Sequence, residues 1–254
     1  MAAAKISTGR ESPNYGVDAP AVLRNLLLGG VLCEVAAVLL PAWLNIGNLH
    51  LGIRPMFRGT GVFLLIQGLL YLLYVKWGKF RHRDLMLNMI SWTGDEQVLD
   101  VGCGRGLLLA GAARRLTAKA AGAGFVTGID VWSNVDMGGN SAEATMKNLR
   151  MEGVDSRCRL ESVPAQEMTF ANGAFDVVLS NLCLHNIEPL QAREEALRQI
   201  IRVLRPGGVA VISDYKNVRA YKRQFDASGF ETTMRWGNLL NFPPLRVVEA
   251  RKPL

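Results

Sequence analysis

Gln97-Val98-Leu99-Asp100-Val101-Gly102-Cys103-Gly104-Arg105-Gly106 is the most informative stretch of this 254-residue chain. QVLDV is a short apolar run bounded by turn residues, and Leu107 to Leu116 (LLLAGAARRL) continues with helical spacing. Strand, glycine loop and helix in that order predict a ligand-binding α/β unit. The spacing is not that of a dinucleotide site. The fingerprint GxGxxG needs glycine at 107, where this chain has Leu107, and Asp100 at the loop entrance would repel a pyrophosphate seated on the helix N-terminus. The same carboxylate favours a positively charged ligand, and Gly102, Gly104 and Gly106 let backbone amides approach it without Cβ interference.

One strand further on, Phe125-Val126-Thr127-Gly128-Ile129-Asp130 reads as a buried strand ending in an acid, where such folds hold a ribose by its hydroxyls. A ribose together with a cationic ammonium and sulfonium describes S-adenosylmethionine (SAM). VLDVGCGRG, GIDVW, FDVVLSNLCLHNI and LRPGGVAVISDY resemble the successive motifs of the class I SAM-dependent methyltransferases, especially the small-molecule enzymes of the ubiquinone and menaquinone biosynthesis type. The match runs from about Arg83 to the C-terminus. It implies an α/β, doubly wound, Rossmann-like sheet of seven strands, the last antiparallel and supplied by LRVVEARKP. It also implies that Asp100, Gly102, Cys103, Gly104 and Gly106 surround the methionine half of SAM. Asp130 would take the ribose, Val131 would lie against adenine, and Asn181 and Leu182 would face the methionine part. Where relatives often have Gly-Asp-Ala after the third strand, this chain has Val163-Pro164-Ala165, which removes an acid from the adenine site. Ala165 and Gln166 are left to frame adenine through backbone and amide groups.

Methyl transfer needs donor and acceptor held in line, and an oxygen acceptor usually also needs a base. His185, just past the fourth strand, is the candidate base because histidine titrates near neutral pH. Its bland alternative is a residue packing the start of the helix at 191–204. Asp214 ends the fifth strand at the same sheet edge and is the second candidate. Cys183 reads as packing rather than nucleophile, Asn140-Ser-Ala-Glu143 as a capping box, and Arg205-Pro-Gly-Gly208 as a turn. The sequence after Asn181 lacks the Pro-Pro-aromatic signature of amino-methylating nucleic-acid enzymes.

The basic excess also argues against nucleic acid. Of 29 Lys and Arg residues nine lie in 1–83, against three of the 22 acids there, so 84–254 is nearly neutral. The four cysteines show no metal-ligand spacing, and no metal is expected. The surplus charge instead brackets two apolar runs, about 26–44 and 59–75, each close to bilayer length. Arg10, Arg24, Lys76, Lys79, Arg81 and Arg83 lie outside the pair and only Arg54 and Arg58 between them. That asymmetry predicts an all-α N-terminal membrane hairpin, residues 1–83, with a methyltransferase domain, 84–254, on the cytosolic side. Glu34 argues for the alternative of a soluble helical cap, since a mid-span carboxylate is costly unless paired; Gln67 is a conceivable partner. The expected function is methylation of a lipophilic small-molecule acceptor at a membrane. A non-catalytic membrane-anchored SAM-binding protein and a soluble methyltransferase of a macromolecule are the alternatives.

Overall fold

Pro20 supplies the fixed φ suited to a first helical turn, and α1 runs Pro20–Leu39. Pro41 cannot continue it, so the helix stops short of the expected 44. The chain turns through a small hairpin that the apolar pattern did not reveal, β1 Leu44–Ile46 and β2 Leu49–Leu51, paired around Gly47 at φ 59°. Helix α2, Ile53–Leu73, starts six residues before the expected 59, so Arg54 and Arg58 are helical rather than in a loop. Contacts between the helices run Leu27–Gly68, Gly30–Leu65 and Glu34–Gly61. In that register Gln67 lies near Leu28, out of reach of Glu34. Glu34 pairs with Arg58 at 3.7 Å, in space left by Gly61, where a Cβ would sit 2.6 Å from the carboxylate. The computed structural model describes residues 12–118, 122–133 and 138–254; Arg10 lies outside them.

A π turn, Tyr74–Gly78, carries α2 into α3, Lys79–Leu87. The helix therefore passes the expected boundary at 83/84 unbroken, and Met86 and Leu87 are buried in the core of the sheet domain. That domain is a seven-stranded sheet of β3 Gln97–Val101, β4 Phe125–Ile129, β5 Cys158–Glu161, β6 Phe175–Asn181, β7 Leu204–Asp214, β8 Glu231–Trp236 and β9 Arg246–Arg251. The order is β5-β4-β3-β6-β7-β9-β8, with β9 antiparallel to both neighbours and the other pairs parallel, as the motifs implied. Alternation sorts the core into two layers. Val98, Val126 and Val177 pack with α3 and α4, Leu107–Thr117; Leu99, Val101 and Val178 pack with α6, Leu190–Val203, and α7, Val218–Ala227. The chain leaves β3 toward β4 on one side and returns to β6 on the other, creating a crevice at the carboxyl ends where ligands of such sheets bind.

Two local readings change. The Arg205–Gly208 segment is a bulge within β7, because Phe175 pairs with Leu204 and the next pair is Val177 with Val209. Helix α5, Ala142–Met151, is capped by Ser141, whose Oγ accepts from Ala144 N at 3.1 Å, one residue later than the capping box placed it.

Candidate cofactor and active site

The three loop glycines take the left-handed conformations that the turn from β3 into α4 requires, at φ 71° for Gly102, 50° for Gly104 and 83° for Gly106. At Gly102 a Cβ would collide with the Cys183 side chain, so the ends of β3 and β6 close together only because this residue has none. Asp100, on β3, is 1 % exposed and its Oδ2 has no hydrogen-bond partner. Burial, and then the neighbouring Asp130 charge, pushes its pKa up to about 8. Asn181, ending β6, has a buried Oδ1 without a partner and lines the same narrow cavity as Asp100. Two buried, unsatisfied acceptors on residues that line one cavity suit a group with several N–H donors.

Asp130 stands at the carboxyl end of β4. Its Oδ2 accepts from Gly104 N at 2.8 Å and its Oδ1 from Trp132 N at 2.6 Å, which fixes the carboxylate against the glycine loop. Asn140 donates to Oδ1 at 3.3 Å, a supporting contact hidden from sequence reasoning by its place in an apparent capping box. Val131 is exposed beside it. Ala165 is buried with its side chain in the core, and Gln166 follows it in a single 3-10 turn, Ala165–Glu167. Leu182 holds φ 54°, a conformation a leucine adopts only when its surroundings impose it; its N–H donates to Ser213 O at 3.0 Å.

His185 and Asp214 are brought together across β6 and β7. His185 Nδ1 lies 2.8 Å from Asp214 Oδ1, an ion-pair distance without hydrogen-bond alignment, and the His185 N–H donates to Oδ2 at 3.1 Å. Asp214 is fully buried and also accepts from Tyr215 N and Tyr221 Oη. The His185 ring meets Tyr215 edge-on at 4.6 Å. Burial, reinforced by nearby carboxylates, pushes the Cys103 and Cys183 thiols well up, so neither is a thiolate nucleophile at neutral pH.

A family model described as a methyltransferase domain matches residues 99–212. Residues 99–212 therefore form a methyltransferase domain of the class I SAM-dependent type. It is 28 % identical over 134 residues to the methyltransferase GfsG of Streptomyces halstedii, covering 53 % of this chain and 43 % of that protein. It is 28 % identical over 94 residues to the ubiquinone/menaquinone biosynthesis C-methyltransferase UbiE of Vibrio parahaemolyticus, covering 36 % and 35 %. A SAM-dependent methyltransferase from Aquifex aeolicus shares the fold at a TM-score of 0.52 and 16 % identity, over 67 % of this chain and 88 % of that one. The chain thus spans about half or less of the length of these two curated relatives.

SAM is the cofactor of this methyltransferase fold, and the residues present fit it. The unpartnered Asp100 carboxylate and Asn181 carbonyl call for a cationic donor, and Gly102 and Gly104 line the same cavity. Sequence reasoning missed the far wall. Tyr15, Lys79 and Arg83 line the same cavity from the N-terminal part. Tyr15 is held by its hydroxyl donating to Glu152 at 2.5 Å, and Lys79 donates to Tyr15 O at 3.2 Å. Also missed was His82, 1 % exposed on α3. Asn241 Nδ2 stands 2.8 Å from its Nδ1, and its Nε2 is 2.6 Å from Ser213 Oγ. With Asn241 donating, His82 is neutral with the proton on Nε2, bolting α3 to the carboxyl end of β7. An isolated histidine in a Lys/Arg-rich run carried no signal of this.

Proposed function

We propose that the protein is a membrane-anchored methyltransferase that transfers the methyl group of SAM to a lipophilic small-molecule acceptor, with its catalytic domain on the cytosolic side. The observation that carries the reading is the pairing of a cation-seeking socket, Asp100 and Asn181, with two bilayer-length helices whose apolar side chains stay exposed. In this assignment Asp100 and Asn181 hold the ammonium end of SAM, and Gly102, Cys103, Gly104, Gly106 and Leu182 shape the slot around it. Asp130 holds the ribose, since its Oδ2, which accepts from Gly104 N, has a second lone pair to share. Val131, Ala165 and Gln166 frame adenine.

Bound SAM supplies an electrophilic methyl group on a cationic sulfur. The chain supplies position and proton management. Asp214, fixed by three N–H or O–H donors, orients the His185 ring, and His185 takes the proton from an acceptor hydroxyl as it is methylated. The hairpin, 20–73, anchors the domain, and we place the working boundary at the π turn 74–78 rather than at residue 83.

The test is transfer of labelled methyl from SAM into organic-extractable product in liposomes carrying a lipid extract. His185→Ala should cut turnover about 100-fold or more, the usual range for a lost general base, and leave SAM affinity unchanged. Binding of SAM without any transfer to lipophilic or macromolecular acceptors would defeat the enzymatic reading.

A further inference from the structure

The segment joining β8 to β9 is bound to the membrane-side helix rather than to its own sheet. Asn238 Nδ2 donates to Gly78 O at 3.0 Å, and Gly78 admits the Leu240 carbonyl at a place where a Cβ would collide with it. Phe242 meets the Tyr71 ring edge-on at 6.1 Å. Tyr71 belongs to α2, so between Asn238 and Phe242 the segment climbs from Gly78 to Tyr71, about 10 Å along a helix at 1.5 Å per residue. Its neighbours at that level, Leu69, Leu70 and Leu72, are exposed leucines of the apolar run.

The same segment carries apolar residues out into the surroundings. Leu239 is 103 % exposed and Trp236 62 %, with Trp77 of the π turn 47 % exposed. Fully burying such side chains is worth roughly 1.5–3 kcal/mol each, so their surface is a poor fit to water. Cations accompany the rings. Lys76 Nζ lies 4.6 Å from the Trp77 ring centre and the Arg246 guanidinium 4.2 Å from that of Trp236. Tryptophan beside Lys or Arg at the end of an apolar helix suits the headgroup zone of a bilayer.

We propose that residues 236–244 form a third membrane contact, which beds Trp236 with Trp77 in the headgroup zone and carries Leu239 into lipid. This rests on the reading of α1 and α2 as a membrane hairpin; the occupant is the bilayer that the hairpin crosses, because the loop is continuous with its base. The consequence is for acceptor delivery. Trp236 and Asp214 share Arg246 as their partner in register, so they stand two strand spacings apart, about 10 Å. The loop therefore sets Asp214, the residue that orients the candidate base, near the lipid surface, which shortens the path of a lipophilic acceptor from bilayer to site.

A photo-crosslinking residue placed in turn at positions 239, 32 and 231 of the full chain, in phosphatidylcholine/phosphatidylglycerol liposomes, tests this. Lipid adducts are expected at 32, on the exposed face of α1, and at 239, and none at 231, at the opposite end of β8. An adduct at 32 without one at 239 overturns the loop contact and leaves the hairpin standing. No adduct at 32 removes the hairpin, and the proposal with it. A 239 adduct to a second copy of the chain overturns the proposal in favour of a dimer face. Leu239→Asp should raise KM for a bilayer-dissolved acceptor about tenfold while KM for SAM stays put; equal KM values for both would also overturn it.

Discussion

Leu99 and Leu32 show how differently the two regions of this molecule treat the same side chain. Leu99, in the sheet, is fully buried between β4, β6 and α6, whereas Leu32, on α1, is 67 % exposed. The contrast is general. The sheet domain hides Val, Leu and Ile on both faces, while the hairpin buries little beyond Gly30, Ala37, Gly61, Gly68 and Tyr71, and it is the three glycines that let α1 and α2 touch. Small residues at a helix crossing with large apolar ones outside is the arrangement that works in lipid, where association depends on close packing rather than on escape from water. One region is thus folded against water, while the other leaves its large apolar side chains outside, as the proposed membrane hairpin would.

The largest effect that would break this comparison is partition. The full chain should stay with membranes through alkaline carbonate washing, and a chain beginning at Val75 should be soluble and bind SAM. A chain beginning at Asp84 should be less stable, because removing His82 leaves buried Ser213 and Asn241 without their partner, at about 1–3 kcal/mol for each unsatisfied group. Fractionation and thermal melts of the three chains check this; release of the intact full chain by high salt would make the helices a cap rather than an anchor.

Next in size is a matched pair of truncations. Leu99→Ala should cost about 2–5 kcal/mol of stability by opening a cavity in a closed core. Leu32→Ala, facing lipid or detergent, should change the detergent-solubilised melting temperature by less than a degree or two. Equal losses would mean that the hairpin's outer face is packed against protein.

The smallest effect sharpens the electrostatics of the socket. Asp100 has a folded-state pKa near 8, above its ordinary value of 3.8, so between those limits the folded protein keeps a proton that the unfolded chain has released. Ligand-free stability should therefore fall as pH rises through that window, by at most about 1.4 kcal/mol per pH unit. SAM affinity should rise over the upper part of the same range, as the carboxylate becomes available to a cation. Asp100→Asn should flatten the stability profile, raise the melting temperature of the ligand-free protein at pH 8, and abolish the pH dependence of binding. Calorimetric titrations and melts at pH 6, 7 and 8 read all three.

What the sequence determined by itself was local. The glycine spacing at 102, 104 and 106, the acids at 100 and 130 and the alternation of the strands each depend on a few neighbouring residues, and the fold class followed from them because strand, tight turn and helix are short-range preferences. The apolar runs likewise announced two helices, but their ends moved by several residues, since Pro41 and the Gly47 turn act through geometry that hydropathy does not register. The tertiary structure alone decided which distant residues meet. His185 reaches Asp214 only because β6 lies beside β7; Asn140 supports Asp130 only because the loop folds back; Tyr15, Lys79 and Arg83 wall the cavity, and His82 joins Ser213 and Asn241, only because α3 continues from the hairpin across the carboxyl edge of the sheet. Such contacts are set by strand order and helix packing, long-range quantities that no short stretch of residues contains.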